Sequence, residues 1–165
     1  MIFKFLSKNF YISFSIVILV YFIDRLTKMF VIQLDKNNLG SDIFNSTYLN
    51  IDLIWNKGIA FGLLTFNEDY LYNILSVIIS MIVVVLVIMS IKSRGFKRYS
   101  LLMVIGGALG NLHDRIFFKA VPDFIDFHIG SFHWFIFNVS DIFITFGIIL
   151  LIVLEISSNK EEKYE

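Results

Sequence analysis

The stretch YSLLMVIGGALGNLHDRIF, residues 99–117, opens as an apolar run and closes on Asn111, Asp114 and Arg115. Its length is close to the roughly 20 residues a helix needs to cross a 30 Å hydrocarbon layer. Charged groups inside such a span are costly and turn toward the interior of a bundle. The segment therefore predicts a membrane helix whose second half is polar for a reason. Gly106, Gly107 and Gly110 give it a small-residue surface for close approach of another helix or of a substrate backbone.

Three more spans are expected outside it, at about 10–32, 71–91 and 135–156, with this one at about 99–117. Composition agrees. The 165 residues are 57% hydrophobic and 17% charged, against about 25% charged in an ordinary soluble domain. Nineteen phenylalanines and a single proline suit long lipid-facing helices. The first apolar run has no small-x-small cleavage site and leads into Asp24, Arg25 and Lys28, so it reads as a retained helix. Cysteine is absent, which excludes disulfides and thiolate chemistry. A net charge of zero gives no electrostatic case for nucleic acid. The three histidines form no HExxH motif, so no metal is expected, and His113 and His128 read as interfacial polar residues.

Basic residues set the orientation. Lys4, Lys8, Lys92, Arg94, Lys97, Arg98, Lys160 and Lys163 fall on one side, and only Lys36, Lys57 and Lys119 on the other. By the positive-inside rule both termini are cytoplasmic. Residues 35–70 form the larger outer loop, where YLNIDLIW followed by NKGIAFG predicts a strand and turns. The expected fold is an all-α membrane protein: a single-domain bundle of four transmembrane helices with a small extracytoplasmic β-sheet at about 35–70. The second outer loop, 118–134, reads as an interfacial segment carrying VPDFIDFHIG.

The carboxylates share a depth. Asp24 lies 16 residues past Lys8, Asp114 lies 16 past Arg98, and Asp141 lies 19 before Lys160. At 1.5 Å per residue these are rises of roughly 24, 24 and 28 Å from the cytoplasmic side. Two carboxylates held together share a proton, which suits water-mediated peptide hydrolysis without a covalent intermediate. Asp114 and Asp141 are the chosen pair. Asn111 and Asn138, each three residues before an aspartate, are positioned to orient them. Arg115 is available to pair with Asp123 or Asp126, and Asp24 with Lys28 forms an i,i+4 pair bracing the site. Taken singly, Asp114 also suits an ion pair with Arg115, Asp141 a first-turn acid, and Asp24–Lys28 a structural pair. An ion-coupled transporter or channel subunit, or a non-catalytic scaffold, remains open on these residues alone; the former needs a polar path to the cytoplasm, which the apolar halves of the helices do not supply.

Five ordered blocks together resemble the bacterial lipoprotein signal peptidases, or signal peptidase II family. They are DRLTK (Asp24–Lys28), NKGIAFG (Asn56–Gly62), GGALGNLHDR (Gly106–Arg115), VPDFIDF (Val121–Phe127) and FNVSD (Phe137–Asp141). The resemblance spans about residues 10–156. It implies an aspartyl endopeptidase of the bacterial inner membrane, with its site toward the extracytoplasmic side. Such an enzyme removes the signal peptide from diacylglyceryl-modified prolipoproteins by cleaving before the lipidated cysteine. Asp114 and Asp141 are matched to the catalytic aspartates. Asn56, Gly110, Asn111, Arg115, Asp123 and Asn138 would line or brace the substrate site, supported by Asp24 and Lys28. The implied partners are the lipidated substrate, membrane phospholipid and globomycin-type cyclic peptides, with one chain sufficing and no cofactor. His113, Pro122 and Ser140 depart from the family pattern, and none removes a catalytic group.

Overall fold

A computed structural model of the protein describes residues 8–38, 43–58 and 69–161. Four helices and four strands follow one another: α1 (Lys8–Asn37), β1 (Phe44–Asn45), β2 (Leu49–Asn56), α2 (Asp69–Lys92), α3 (Gly95–Phe118), β3 (Val121–Ile129), β4 (Phe132–Phe137) and α4 (Val139–Glu161). The chain is a mostly helical membrane protein with a small open sheet. Segments 72–92, 95–118 and 139–157 are each long and apolar enough to cross a membrane. The fourth long helix, α1, runs 30 residues and carries the charged Asp24, Arg25 and Lys28 in its middle.

Burial is inverted relative to a water-soluble bundle. Lys28, Asp24, Asp114, Asn138 and Ser140 are among the most deeply buried side chains, while Phe22, Leu26, Met29 and Phe30 of α1 face outward. In α2 only 11% of the spanning window is buried, so this helix offers lipid nearly its whole surface. Lipid tails solvate these side chains as well as a protein core would, so the driving force between helices is packing and polar contact.

Helix α3 is the central post, packed against α1, α2 and α4. Its contact with α4 depends on the absence of a side chain at Gly107, where a Cβ would lie 2.6 Å from the Ser140 carbonyl oxygen and 2.8 Å from Ile144 Cγ1. Below this level the buried residues of α3 are Leu101, Leu102, Val104 and Ile105, with Ser100 the one polar member. No charged path continues through these described residues.

The sheet differs from the sequence-based expectation. It is antiparallel with order β1-β2-β3-β4. Half of it comes from 121–137, a region expected to be an interfacial loop and the start of the last span. The hairpin closes through Gly130–Ser131, with Gly130 at φ 60° as a two-residue turn of this kind favours. Phe135–Phe137 therefore belongs to β4, and α4 begins at Val139. The expected strand over YLNIDLIW corresponds to β2, which begins one residue later at Leu49 and pairs with β3 from Leu49↔Phe127 to Asn56↔Val121. Ile59–Gly62 of the NKGIAFG block lie outside the described residues.

The fold predicts a contrast between two surfaces. Gly107→Val should cost about 1–3 kcal/mol, as overpacking of a tight contact does. Val85→Ala, on the outward face of α2, should stay within about 0.5 kcal/mol, as surface changes usually do. Thermal unfolding of both variants in the same detergent gives the comparison.

Candidate active site

The deepest feature is a four-charge cluster that ties α1 to α3. Asp114 accepts from Arg25 Nη1 at 2.5 Å on one oxygen, and from Arg25 Nη2 and Lys28 Nζ, both at 2.7 Å, on the other. Asp24 contacts the same two cations, at 2.9 Å to Arg25 Nη2 and 3.0 Å to Lys28 Nζ. Two acids and two bases give zero net charge, the condition under which buried charges survive desolvation. Residues 24, 25 and 28 come together because Asp24 and Lys28 share a helix face one turn apart and Arg25 reaches around it. Asp24 also accepts the backbone N–H of Ser140 at 3.0 Å, which carries the cluster to the start of α4.

Gly110 makes room for this convergence. A Cβ there would sit 2.5 Å from Asp24 Oδ2 and against the Ser140 hydroxyl. Asn111, one residue on, links the cluster to α4: its side-chain Oδ1 accepts from Lys28 Nζ at 2.8 Å and its side-chain Nδ2 donates to Asp141 Oδ1 at 2.8 Å.

Asn138 and Asp141 form a reciprocal cap at the first turn of α4. The Asp141 N–H donates to Asn138 Oδ1 at 3.3 Å, and the Asn138 N–H donates to Asp141 Oδ2 at 3.2 Å. This is a capping box with aspartate in the role usually held by glutamate. It leaves the Asn138 amide free to reach across to β3, where it donates to Asp123 Oδ1 at 2.6 Å. The other oxygen of Asp123 accepts from Asn56 Nδ2 at 2.8 Å, at the end of β2. Burial pushes the Asp123 carboxyl up to about 6 and the charge of Asp141 adds to the rise, while the Asn56 and Asn138 amides oppose it.

Arg115 donates to the Gly58 carbonyl at 3.1 Å and the Asn111 carbonyl at 3.3 Å. The expected pairing with Asp123 or Asp126 gives way to a role as a tie between α3 and the segment after β2. Asp123 and Asp126 stand three apart on a strand, an odd spacing that turns regular neighbours to opposite faces. Accordingly Asp126 Oδ2 accepts from His133 Nδ1 at 2.8 Å instead of joining Asp123. His113 meets Tyr21 across the α1–α3 contact at 2.9 Å. Pro122 and Ser140 are fully buried.

The two acids paired from the sequence stand in different surroundings. Asp114 is 0% exposed and receives three bonds from two cations. It is an ion-pair partner, enclosed between α1 and α3. Asp141 instead lines an apolar furrow of about 340 Å³ with Trp134, Phe137, Ile142, Thr145, Phe146 and Ile149. Asp123 stands across Asn138 from it. Arg25 escaped the sequence reading because adjacency to Asp24 does not reveal a partner 89 residues away.

A sequence model of the family described as Signal peptidase (SPase) II matches residues 16–157. The chain belongs to the signal peptidase II family. The lipoprotein signal peptidase of Pelagibacter ubique is 43% identical over 158 residues, covering 96% of this chain and 95% of that protein. That of Anaplasma phagocytophilum is 38% identical, covering 84% and 88%. Two solved bacterial membrane enzymes share the fold. One has a TM-score of 0.74 at 29% identity, over 93% of this chain and 92% of the other, and the second 0.69 at 32%, over 86% and 90%. Membership makes the chain an aspartyl-type membrane hydrolase, a multi-pass protein of the bacterial inner membrane.

The cluster generates a stability prediction. Lys28→Met should destabilise the protein by about 3–5 kcal/mol, because it leaves two buried carboxylates sharing one cation. Combining it with Asp114→Asn should recover part of that loss. Unfolding of the two single variants and the double variant, read as a cycle, measures the coupling.

Proposed function

We propose that the chain is a four-span peptidase with both termini cytoplasmic, and that Asp123 and Asp141 are its catalytic pair. The observation that carries this is that Asn138 donates to both carboxylates, from its side-chain amide to Asp123 and from its backbone N–H to Asp141, which lines the apolar furrow. Asp114 then becomes a positioning residue, holding α1 and α3 in register and, through Lys28 and Asn111, fixing the orientation of Asp141.

The chemistry needs one proton on the pair. The proton belongs to the pair; in this scheme Asp123 carries it and Asp141 accepts a proton from water. The hydroxide so formed adds to the scissile carbonyl carbon while Asp123 donates to the carbonyl oxygen. The tetrahedral diol then collapses: the C–N bond breaks, the amine leaves with the proton held on Asp141, one diol hydroxyl returns its proton to Asp123, and the signal peptide departs as a carboxylic acid. The pair ends with one proton, as it began.

The substrate class is the diacylglyceryl-modified prolipoprotein, cut before its lipidated cysteine. The furrow along Asp141, Ile142, Thr145 and Phe146 suits an apolar signal helix entering from lipid, with phospholipid as the alternative occupant. A second, largely apolar recess of about 470 Å³, lined by Tyr48, Phe127, His128, Ile129, Phe132 and Trp134, continues from the shared Trp134 and Phe137 along the sheet. On this reading the sheet lies on the extracytoplasmic side and receives the start of the mature lipoprotein. A globomycin-type cyclic peptide would compete for the same furrow. Every group in the pair and its supports comes from one chain, so a monomer is sufficient.

Two outcomes test the assignment. Purified variants are given a lipidated prolipoprotein, signal-peptide release is followed by gel mobility, and folding is checked by size-exclusion chromatography. Asp123→Asn and Asp141→Asn should each lose at least about 10²–10⁴-fold in rate, the range of a missing acid or base. Asp114→Asn should be less stable yet retain measurable cleavage; total loss in folded Asp114→Asn with activity in Asp123→Asn would reverse the assignment. The pH profile is the second outcome. Asp123 ionises in the folded protein at about 6, above the ordinary carboxylate value, so its protonated form is lost as pH rises through 6. The profile of kcat/KM should bend downward there, by about tenfold per pH unit, and a flat profile across neutral pH would remove Asp123 as the proton holder.

A further inference from the structure

The β3–β4 hairpin carries a second cluster, apart from the peptidase pair. Asp126, His128 and His133 each offer a ligand atom, and these atoms all lie within 4.8 Å of one another. His128 and His133 are directly opposed in the β3–β4 register, and their rings stack at 5.0 Å. Asp126 lies two residues before His128 on the same strand. The register slips by one residue between Asp126↔Ile136 and His128↔His133, an irregularity of the kind that re-aims side chains.

A hydrogen bond between His133 and Asp126 Oδ2 accounts for only part of this arrangement. Asp126 is 5% exposed, yet its Oδ1 has no partner, and neither has the buried Nδ1 of His128. A buried polar atom left unpaired is costly, and here two such atoms belong to members of one three-residue set. Two imidazoles and one carboxylate are the donor set of three-ligand zinc sites, which keep a fourth position for water. Bonds of about 2.0–2.1 Å imply ligand atoms about 3.3 Å apart in a tetrahedron. The contraction needed falls on His133, whose side chain is 51% exposed and has room to turn.

We propose that Asp126, His128 and His133 form a divalent transition-metal site selective for Zn2+ over Mg2+ and Ca2+. The ion would pin β3 to β4 at the far end of the hairpin from Asn138, and would stiffen the strand that carries Asp123. Imidazole donors set the selectivity, because the hard cations prefer all-oxygen sites. The site is independent of which aspartates catalyse cleavage.

The test uses the full chain without a histidine tag, purified in detergent and stripped with a chelator. Zinc alone is titrated against a chromophoric competitor, and thermal unfolding is followed with and without zinc. Wild type should bind one equivalent and unfold at a higher temperature in zinc. His133→Asn and His128→Ala should each bind at least tenfold more weakly and lose the thermal shift. His113→Phe, altered at the α1–α3 contact, should bind like wild type. Equal binding by wild type and folded His133→Asn, or no stoichiometric binding by wild type, would overturn the proposal and leave the orphaned atoms to ordered water. Magnesium in place of zinc should give no shift, and a shift equal to zinc's would refute the selectivity.

Discussion

The buried ion cluster of Asp24, Arg25, Lys28 and Asp114 is the constraint on which the rest of the structure depends. In a bilayer an unpaired charge at this depth has no water to turn to, so each member is held in place by the others. Once α1 and α3 are locked by these contacts, Asp24 receives the Ser140 N–H and Lys28 orients Asn111. The start of α4 is thereby fixed from two directions. The small surface at Gly107 and Gly110 lets backbone and carboxylate approach closely enough for those bonds to form.

A chain of polar contacts leads outward from that anchor. Asn111 reaches Asp141, the Asn138–Asp141 cap turns the Asn138 amide toward Asp123, and Asn56 closes the far side. Apart from the cap itself, every link joins two different elements. The carboxylates at the head of the furrow are thus positioned by helices and strands instead of by loops, which suits a reaction that tolerates little misplacement. Such chains of bonds also explain why asparagine recurs: it is an acceptor and a donor in one side chain, so it can pass an orientation from a cation to a carboxylate.

The sheet serves the same geometry. A strand pair made only from residues before α2 would leave Asp123 on a free loop. Pairing β2 with β3 sets Ile54 opposite Asp123 and Asn56 opposite Val121, and so delivers both Asn56 and Asp123 to one edge of the site. The alternation in VPDFIDFHI that supports this strand is easily masked in sequence by its proximity to a membrane span, because phenylalanine and isoleucine serve both settings.

The sequence by itself determined the membrane character, the helices, the family and nearly all the polar residues around the site. Hydrophobic run length and the cost of intramembrane charge are local properties of the chain, and the five motif blocks are local too. Tertiary structure alone decided which acids stand together. Depth along a helix brought Asp24, Asp114 and Asp141 to one layer, but depth is a single coordinate. It does not say that two cations of α1 surround Asp114, or that a strand pairing brings Asp123 to Asn138. Azimuth around a helix axis and register across a sheet are set by contacts between residues far apart in the chain, and those contacts exist only in the folded protein.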